Sequence, residues 1–413
     1  MIKKGLAILS HPLFSGSAVM VFGTNFVNVL NYLYHLIMGR MLGPTLYGEL
    51  AALFSLIGIL GIITLTLNTV VVKYISSSGS NSEINGLVGW FTKKMLVFSL
   101  VLFVLVVILS PAVSSFLKID NPYLIIFVAV VAVFSLLMIV NKAVLQGLLR
   151  FNETVAVILT ENGLKLLLGV AFVILGFSVG GAMLGLTLGA GLGWLLSGYF
   201  IKGILKGKER TKPDAKSVVN YFLPVFLQSV AVTSLYSTDL LLVKHFFEPH
   251  DAGIYAATST LGKIIFFGAS PISLVMFPLV SKRAAKGESY RKVFAASLLA
   301  TAFISSAVLI VFKLIPDLVI SNLYGKSYLE AVDLLLGFGI FMVFFTLSVF
   351  LINFSLSLQK TKIVILPLIA SLAQVVGIWL YHGSLQSVIM VSVVVSGLLF
   401  VSLLAFTMNL KKR

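Results

Sequence analysis

Cysteine is missing from this chain of 413 residues. Its absence excludes disulfides, thiolate metal sites and a cysteine nucleophile. Charge is scarce as well: 11% of residues are charged, with 14 acidic side chains against 30 basic ones. The five histidines (His11, His35, His245, His250 and His382) make no HExxH or comparable ligand spacing. His245, His250 and Asp251 share one loop, which reads as a surface loop rather than a metal site. Gly325-Lys326-Ser327 ends like a P-loop, but the position of the required earlier glycine holds Ile320. No cofactor is expected. Between apolar runs the chain is too short to fold a separate domain, so function must lie in the bundle and its rims.

Apolar residues are what the sequence has in abundance. They make up 59% of it, and the mean hydropathy is +1.08. Runs of about 20 apolar residues are long enough to cross the roughly 30 Å hydrocarbon layer. Twelve such spans are predicted, near residues 14–37, 49–72, 95–117, 123–141, 155–178, 181–201, 219–243, 252–279, 293–315, 330–356, 362–381 and 384–408. The fold class is therefore an all-α polytopic membrane protein. The basic start followed by an apolar run resembles a signal peptide, but the run continues to Ile37 without a clear cleavage site, so an uncleaved first span is expected.

A net charge of +16 raises nucleic acid as a partner, and the placement of the charge excludes it. The N-terminus and even-numbered loops hold 20 Lys and Arg and the C-terminus three, against four in the odd loops: Arg40, Lys118, Lys244 and Lys326. Lys165, Lys263 and Lys313 fall inside spans. The positive-inside rule then sets both termini in the cytoplasm of a cell membrane, with anionic membrane lipids as neighbours.

The chain also repeats itself. Pro44 to Ala52 and Pro249 to Ala257 both read Pro-x3-Gly-x2-Ala-Ala, 205 residues apart, and Pro111 and Pro316 keep that offset. Each copy joins one span to the next. Two six-span lobes in parallel orientation follow, residues 1–203 and 218–413, joined by a basic linker at 204–217. Span six carries Gly181, Gly185, Gly189 and Gly193. Spacing by four puts them on one face, where another helix can approach closely.

Ionisable groups inside a membrane are costly and point to function. Lys263 lies near mid-bilayer, and its mate in the first half is Gly58. A cation there suits a phosphate or another anion. Asp239 is either its counter-ion, an ion-coupling carboxylate, or a hydrated side chain near the rim. Glu161 and Lys165 share a face and either neutralise each other or form a polar wall. Asn25, Asn28 and Asn31, with Tyr32 and His35, make a stripe on span one. Amides and a phenol there either bond to another helix or meet sugar hydroxyls.

The stretch from Met38 to Ala51, with Arg40-Met-Leu-Gly43-Pro44-Thr-Leu-Tyr47-Gly48 at its centre, resembles the N-terminal signature of polysaccharide-biosynthesis flippases. Val72-Lys73-Tyr74, Leu145-Gln146-Gly147 with Arg150, and Asp251-Ala-Gly253-Ile-Tyr255 are similar to later parts of that family. The family is the oligosaccharide-flippase branch of the multidrug/oligosaccharidyl-lipid/polysaccharide (MOP) exporter superfamily. The resemblance implies a MATE-like pair of six-helix lobes around a central cavity, working by alternating access. It implies a lipid-linked oligosaccharide cargo carried on a polyprenyl diphosphate. The arginine-lined cavity of peptidoglycan lipid flippases has no match, because all six arginines lie in loops or at termini. A drug or metabolite antiporter coupled to a proton or sodium ion remains an alternative, as do a membrane glycosyltransferase and a non-transporting scaffold.

Overall fold

The computed structural model describes residues 12–202, 211, 213–358 and 360–410. All regular structure in these residues is helical. The helices are α1 (Pro12–Ser76), α2 (Asn81–Phe116), α3 (Tyr123–Gly147), α4 (Phe151–Phe172), α5 (Ser178–Lys202), α6 (Ala215–Phe246), α7 (Pro249–Ala285), α8 (Arg291–Leu314), α9 (Pro316–Leu323), α10 (Val332–Ser357), α11 (Ile365–Leu380) and α12 (Leu385–Leu410). Much of the expected linker, 204–210 and 212, lies outside the described residues.

Among the described residues, ten helical stretches are long and apolar enough to cross a membrane. Two of them are too long to cross once. Phe22–Ser76 has 55 residues and Phe151–Lys202 has 52, each about 80 Å as a straight helix at 1.5 Å per residue. Both break on a glycine. Gly43 sits at φ 72, a left-handed conformation that glycine adopts without cost. Pro44 follows at once, where a helix starting anew needs no N–H donor. Gly176, at φ 90 in the π-turn Val173–Phe177, interrupts the other stretch. Each long stretch is thus two spans, and the total is the twelve expected from the apolar runs.

Contacts divide the chain into two compact units. One holds the described residues up to Met41 together with Leu56–Phe226; the other holds Leu42–Ser55 and the described residues from Leu227 onward. The core of the first unit gathers Val70, Val71, Phe91, Val140, Val144 and Val157 from α1 to α4. In the second unit α10 is the central element. Its Phe338, Phe341, Phe345, Phe350 and Phe354 are all buried. By contrast α2 is largely exposed along its apolar window, as a helix facing lipid tails must be.

The glycine stripe is the seam between α4 and α5. A side chain at Gly185 would strike the backbone of Gly169, and one at Gly189 would meet the Glu161 carbonyl at 2.5 Å. The glycines thus let the two backbones touch, and this fixes where Glu161 and Lys165 stand on α4.

The two repeated turns meet each other inside the second unit. A Cβ on Gly48 would lie 2.8 Å from the Gly253 nitrogen, and one on Gly253 would run into the Pro44 carbonyl. The four alanines that follow (Ala51, Ala52, Ala256 and Ala257) are all buried. Tyr47, next to Gly48, inserts into a buried cluster: its hydroxyl is 3.0 Å from both Thr260 and Tyr324, with Tyr328 also against its ring. The motif therefore both marks the duplication and makes the crossing of its two copies possible.

The structure corrects several loop placements. Arg40 is helical, just before the break in α1, and His245, His250 and Asp251 do not share a loop but stand in the last turn of α6 and the first turn of α7. Lys244 was expected in an outer loop because the apolar run stops at Val243. It lies instead within α6, which continues to Phe246, and its side chain is wholly buried.

Candidate functional site

The polar residues singled out in the sequence fall into two clusters, one in each unit. In the first unit, Val27 of α1 packs on Val155 and Ile158 of α4. Tyr34 reaches the Ala182 carbonyl of α5 at 3.1 Å. These contacts lock α1 onto the α4/α5 seam and bring Asn31 to Lys165. The Lys165 ammonium is buried and donates to the side-chain oxygens of Asn31 and Asn162, with the Tyr34 ring 5.0 Å away. Glu161, one turn earlier on α4, acts on it through charge. Asn25 is exposed, while Asn28, Tyr32 and Glu161 are half-buried. Asn25, Asn28 and Tyr32 precede or flank Asn31 on α1 and present amides and a phenol along one side of it.

The second cluster is built from α6 and α7. Tyr255, Ser259 and Lys263 are spaced by four and so form one stripe on α7. Tyr236 and Asp239, three apart on α6, meet that stripe. The Asp239 carboxylate has no exposed surface and accepts a 2.7 Å hydrogen bond from the Tyr255 hydroxyl on Oδ2. Its Oδ1 has no partner among the described residues, and neither has the Ser259 hydroxyl. Lys263, near the middle of α7 and half-buried, lies 5.6 Å from the Tyr236 ring centre. Its charge and that of Asp239 are close enough to act on each other. Even so, no ion pair joins the two.

Sequence reasoning overlooked three members of these clusters. Asn162 and Ser259 were not singled out, and Tyr255 entered only with the repeated turn and the family signature. The i, i+4, i+8 register running back from Lys263 finds Ser259 and Tyr255, and the i, i+3 spacing to Lys165 finds Asn162.

Comparison with known proteins decides the family. A model of the family described as "Polysaccharide biosynthesis protein" matches residues 37–333, well over half of the chain. The chain belongs to that family. The match opens at the Met38–Ala51 signature and takes in Glu161, Asn162 and Lys165 of the first cluster and all of the second, while Asn25, Asn28, Asn31 and Tyr32 precede it. An uncharacterized membrane protein of Methanocaldococcus jannaschii is 24% identical over 270 residues, which are 61% of this chain and 63% of that protein. The chain thus spans less than two thirds of that relative's length. Among solved structures, an inward-facing multidrug resistance MATE transporter of the MOP superfamily superposes with a TM-score of 0.76. It has 15% identity, over 92% of this chain and 95% of that one. The lipid II flippase MurJ, in an inward closed conformation, gives 0.75 and 14% identity over 95% and 87%. At these identities the likeness establishes the fold: this member of the polysaccharide biosynthesis family is built as MOP-superfamily transporters are.

Proposed function

We propose that the protein moves a polyprenyl-diphosphate-linked oligosaccharide from the cytoplasmic to the outer leaflet of the cell membrane by alternating access, for cell-surface polysaccharide biosynthesis. The observation that carries this reading is Lys263. It is an ammonium held near the middle of a membrane-spanning helix, and the nearest carboxylate is bound by Tyr255 instead of pairing with it. A cation kept in that condition is expensive and is ready for an anion from outside the protein. A diphosphate supplies one. The amides and hydroxyls of Asn25, Asn28 and Tyr32, with Glu161 and Lys165, then offer the donors and acceptors that sugar hydroxyls need. The lipid tail requires no site of its own, since membrane lipid surrounds the bundle. Membership of a polysaccharide biosynthesis family and the likeness to a lipid II flippase support the same cargo class. Transport needs no catalytic residue, and none is assigned.

A second reading is favoured by one specific observation. The unpartnered oxygen of Asp239 also suits an antiporter that exchanges a drug or metabolite for a proton or sodium ion.

The test is flipping in reconstituted vesicles, with a fluorescent lipid-diphosphate oligosaccharide followed by quenching from outside. Lys263→Gln is expected to slow translocation at least about tenfold, the loss of one charge-assisted contact of roughly 1.4 kcal/mol or more. It is expected to stay folded, and Lys313→Gln, an exposed change in the last turn of α8, is expected to flip normally. Normal flipping by Lys263→Gln removes the assignment. Drug exchange without flipping by the wild type supports the antiporter.

A further inference from the structure

The Asp239 carboxylate raises a question that anion capture by Lys263 alone does not answer. A buried carboxylate with one oxygen unbonded has given up water without a replacement partner, and such groups in native structures call for an explanation. Two occupants fit the unfilled oxygen: a metal cation or a proton. The metal fits poorly. Hard cations take six or more oxygens, and among the described residues no three His, Asp or Glu gather around any point. The Lys263 ammonium, already within electrostatic range, also opposes a second cation. A proton needs no coordination shell, because it sits on the carboxylate itself and removes the charge that is costly to bury.

We infer that Asp239 is a proton-binding group linked to the anion site at Lys263, so that the site takes up a proton when it takes a diphosphate. This rests on the reading of Lys263 given above. With its site empty, Lys263 has Asp239 as the nearby opposite charge, and the ionised carboxylate is held by the Tyr255 hydroxyl. When a diphosphate reaches Lys263, the ammonium is shared with a stronger anion, and two negative groups face one cation. Neutralising Asp239 with a proton relieves that repulsion. Linkage makes the effect reciprocal: whatever proton binding does for anion affinity, anion binding does for proton affinity. Asp239 acts through Lys263 and is a positioning residue, not a ligand of the cargo.

From α7, Tyr255 and Lys263 face the carboxylate. Tyr236 is the nearest titratable neighbour on α6 itself. Lys244 and His245 lie further along, with His245 stacked against Trp379 of α11. From α10, Phe338 backs Tyr255 and Phe345 backs Tyr236. The acidic residue of α10, Asp333, is exposed in its first turn. Among the described residues, Asp239 is the acidic group whose charge acts on Lys263.

The experiment uses the full chain in lipid nanodiscs, with geranylgeranyl diphosphate as the probe, and measures affinity between about pH 5 and about pH 9 together with proton uptake in weak buffer. Protons belonging to the probe appear in every variant, so the difference between variants is read. The wild type is expected to lose affinity as pH rises, by up to about tenfold per pH unit more than Asp239→Asn. It should also take up a proton on binding that Asp239→Asn does not. Tyr255→Phe keeps the carboxylate but removes the donor that favours its ionised form. Its affinity profile should keep the slope and move to higher pH. If wild type and Asp239→Asn give the same profile and the same uptake, or if Tyr255→Phe leaves the profile in place, the linkage is wrong while Lys263 stands. If Lys263→Gln binds the probe as the wild type does, the reading of Lys263 itself fails, and the linkage with it.

Discussion

Lys165 and Lys263 are both lysines inside apolar helices, yet their surroundings differ in kind. Lys165 is buried against two carboxamide oxygens and a tyrosine ring, so the protein itself supplies its solvation. Removing it leaves the half-buried Asn31 and Asn162 without those bonds. Lys165→Ala is therefore expected to destabilise the folded protein by about 1–3 kcal/mol, read as a lower midpoint of thermal unfolding in detergent, whatever it does to transport. Lys263 has only an aromatic face and a carboxylate at a distance, so its replacement should spare the midpoint and affect function. Both lysines were legible in the sequence, because an ionisable residue in an apolar run stands out. Their partners were not. Asn162, Tyr255 and Ser259 are ordinary residues for a helix, and only the packing of α1 on α4 and of α6 on α7 gives them work. Lys244 misled for a related reason: where apolar character ends, a helix need not end.

At the scale of elements, the breaks are more informative than the helices. Gly43-Pro44 turns one 55-residue stretch into two spans, and the left-handed backbone there is one that a residue with a side chain adopts only under strain. Five residues on, Gly48 performs a different task, letting the repeated turn lie against its copy at Gly253. Gly253→Ala should cost about 1–3 kcal/mol or more, since the added methyl meets the Pro44 carbonyl, which is backbone and cannot swing aside. Gly79→Ala, with nothing near its added carbon, should change little. Thermal unfolding of the two variants side by side checks this, and equal midpoints would contradict the crossing. The motif and its 205-residue offset were plain in the sequence. That the two copies touch was not, because no periodicity encodes which segments meet. The glycine stripe on α5 was readable as a packing face, but not that its partner was α4 and that the contact positions Glu161 and Lys165.

For the whole molecule, charge placement carries an expectation of topology that the fold alone leaves untested. With 23 basic residues on one side against four expected on the other, both ends of the chain and the mid-chain linker belong in the cytoplasm. A chain without cysteine makes this simple to check. A single cysteine replacing Lys216 should react with an impermeant maleimide only after cells are opened, and one replacing Asn121 should react in intact cells; the reverse pattern would invert the topology. Twelve spans followed from apolar runs because the bilayer fixes their length. The polar clusters within those spans depend on tertiary contacts, and there the sequence offered candidates without an arrangement.

The central claim is that a half-buried ammonium at Lys263 receives the diphosphate of a lipid-linked glycan. Reconstituted flipping of a fluorescent polyprenyl-diphosphate oligosaccharide tests it most directly. The account predicts transfer by the wild type and by Lys313→Gln, and at least about a tenfold loss in Lys263→Gln, one charge-assisted contact's worth. Transfer by Lys263→Gln at the wild-type rate, or no transfer by the wild type, would contradict it.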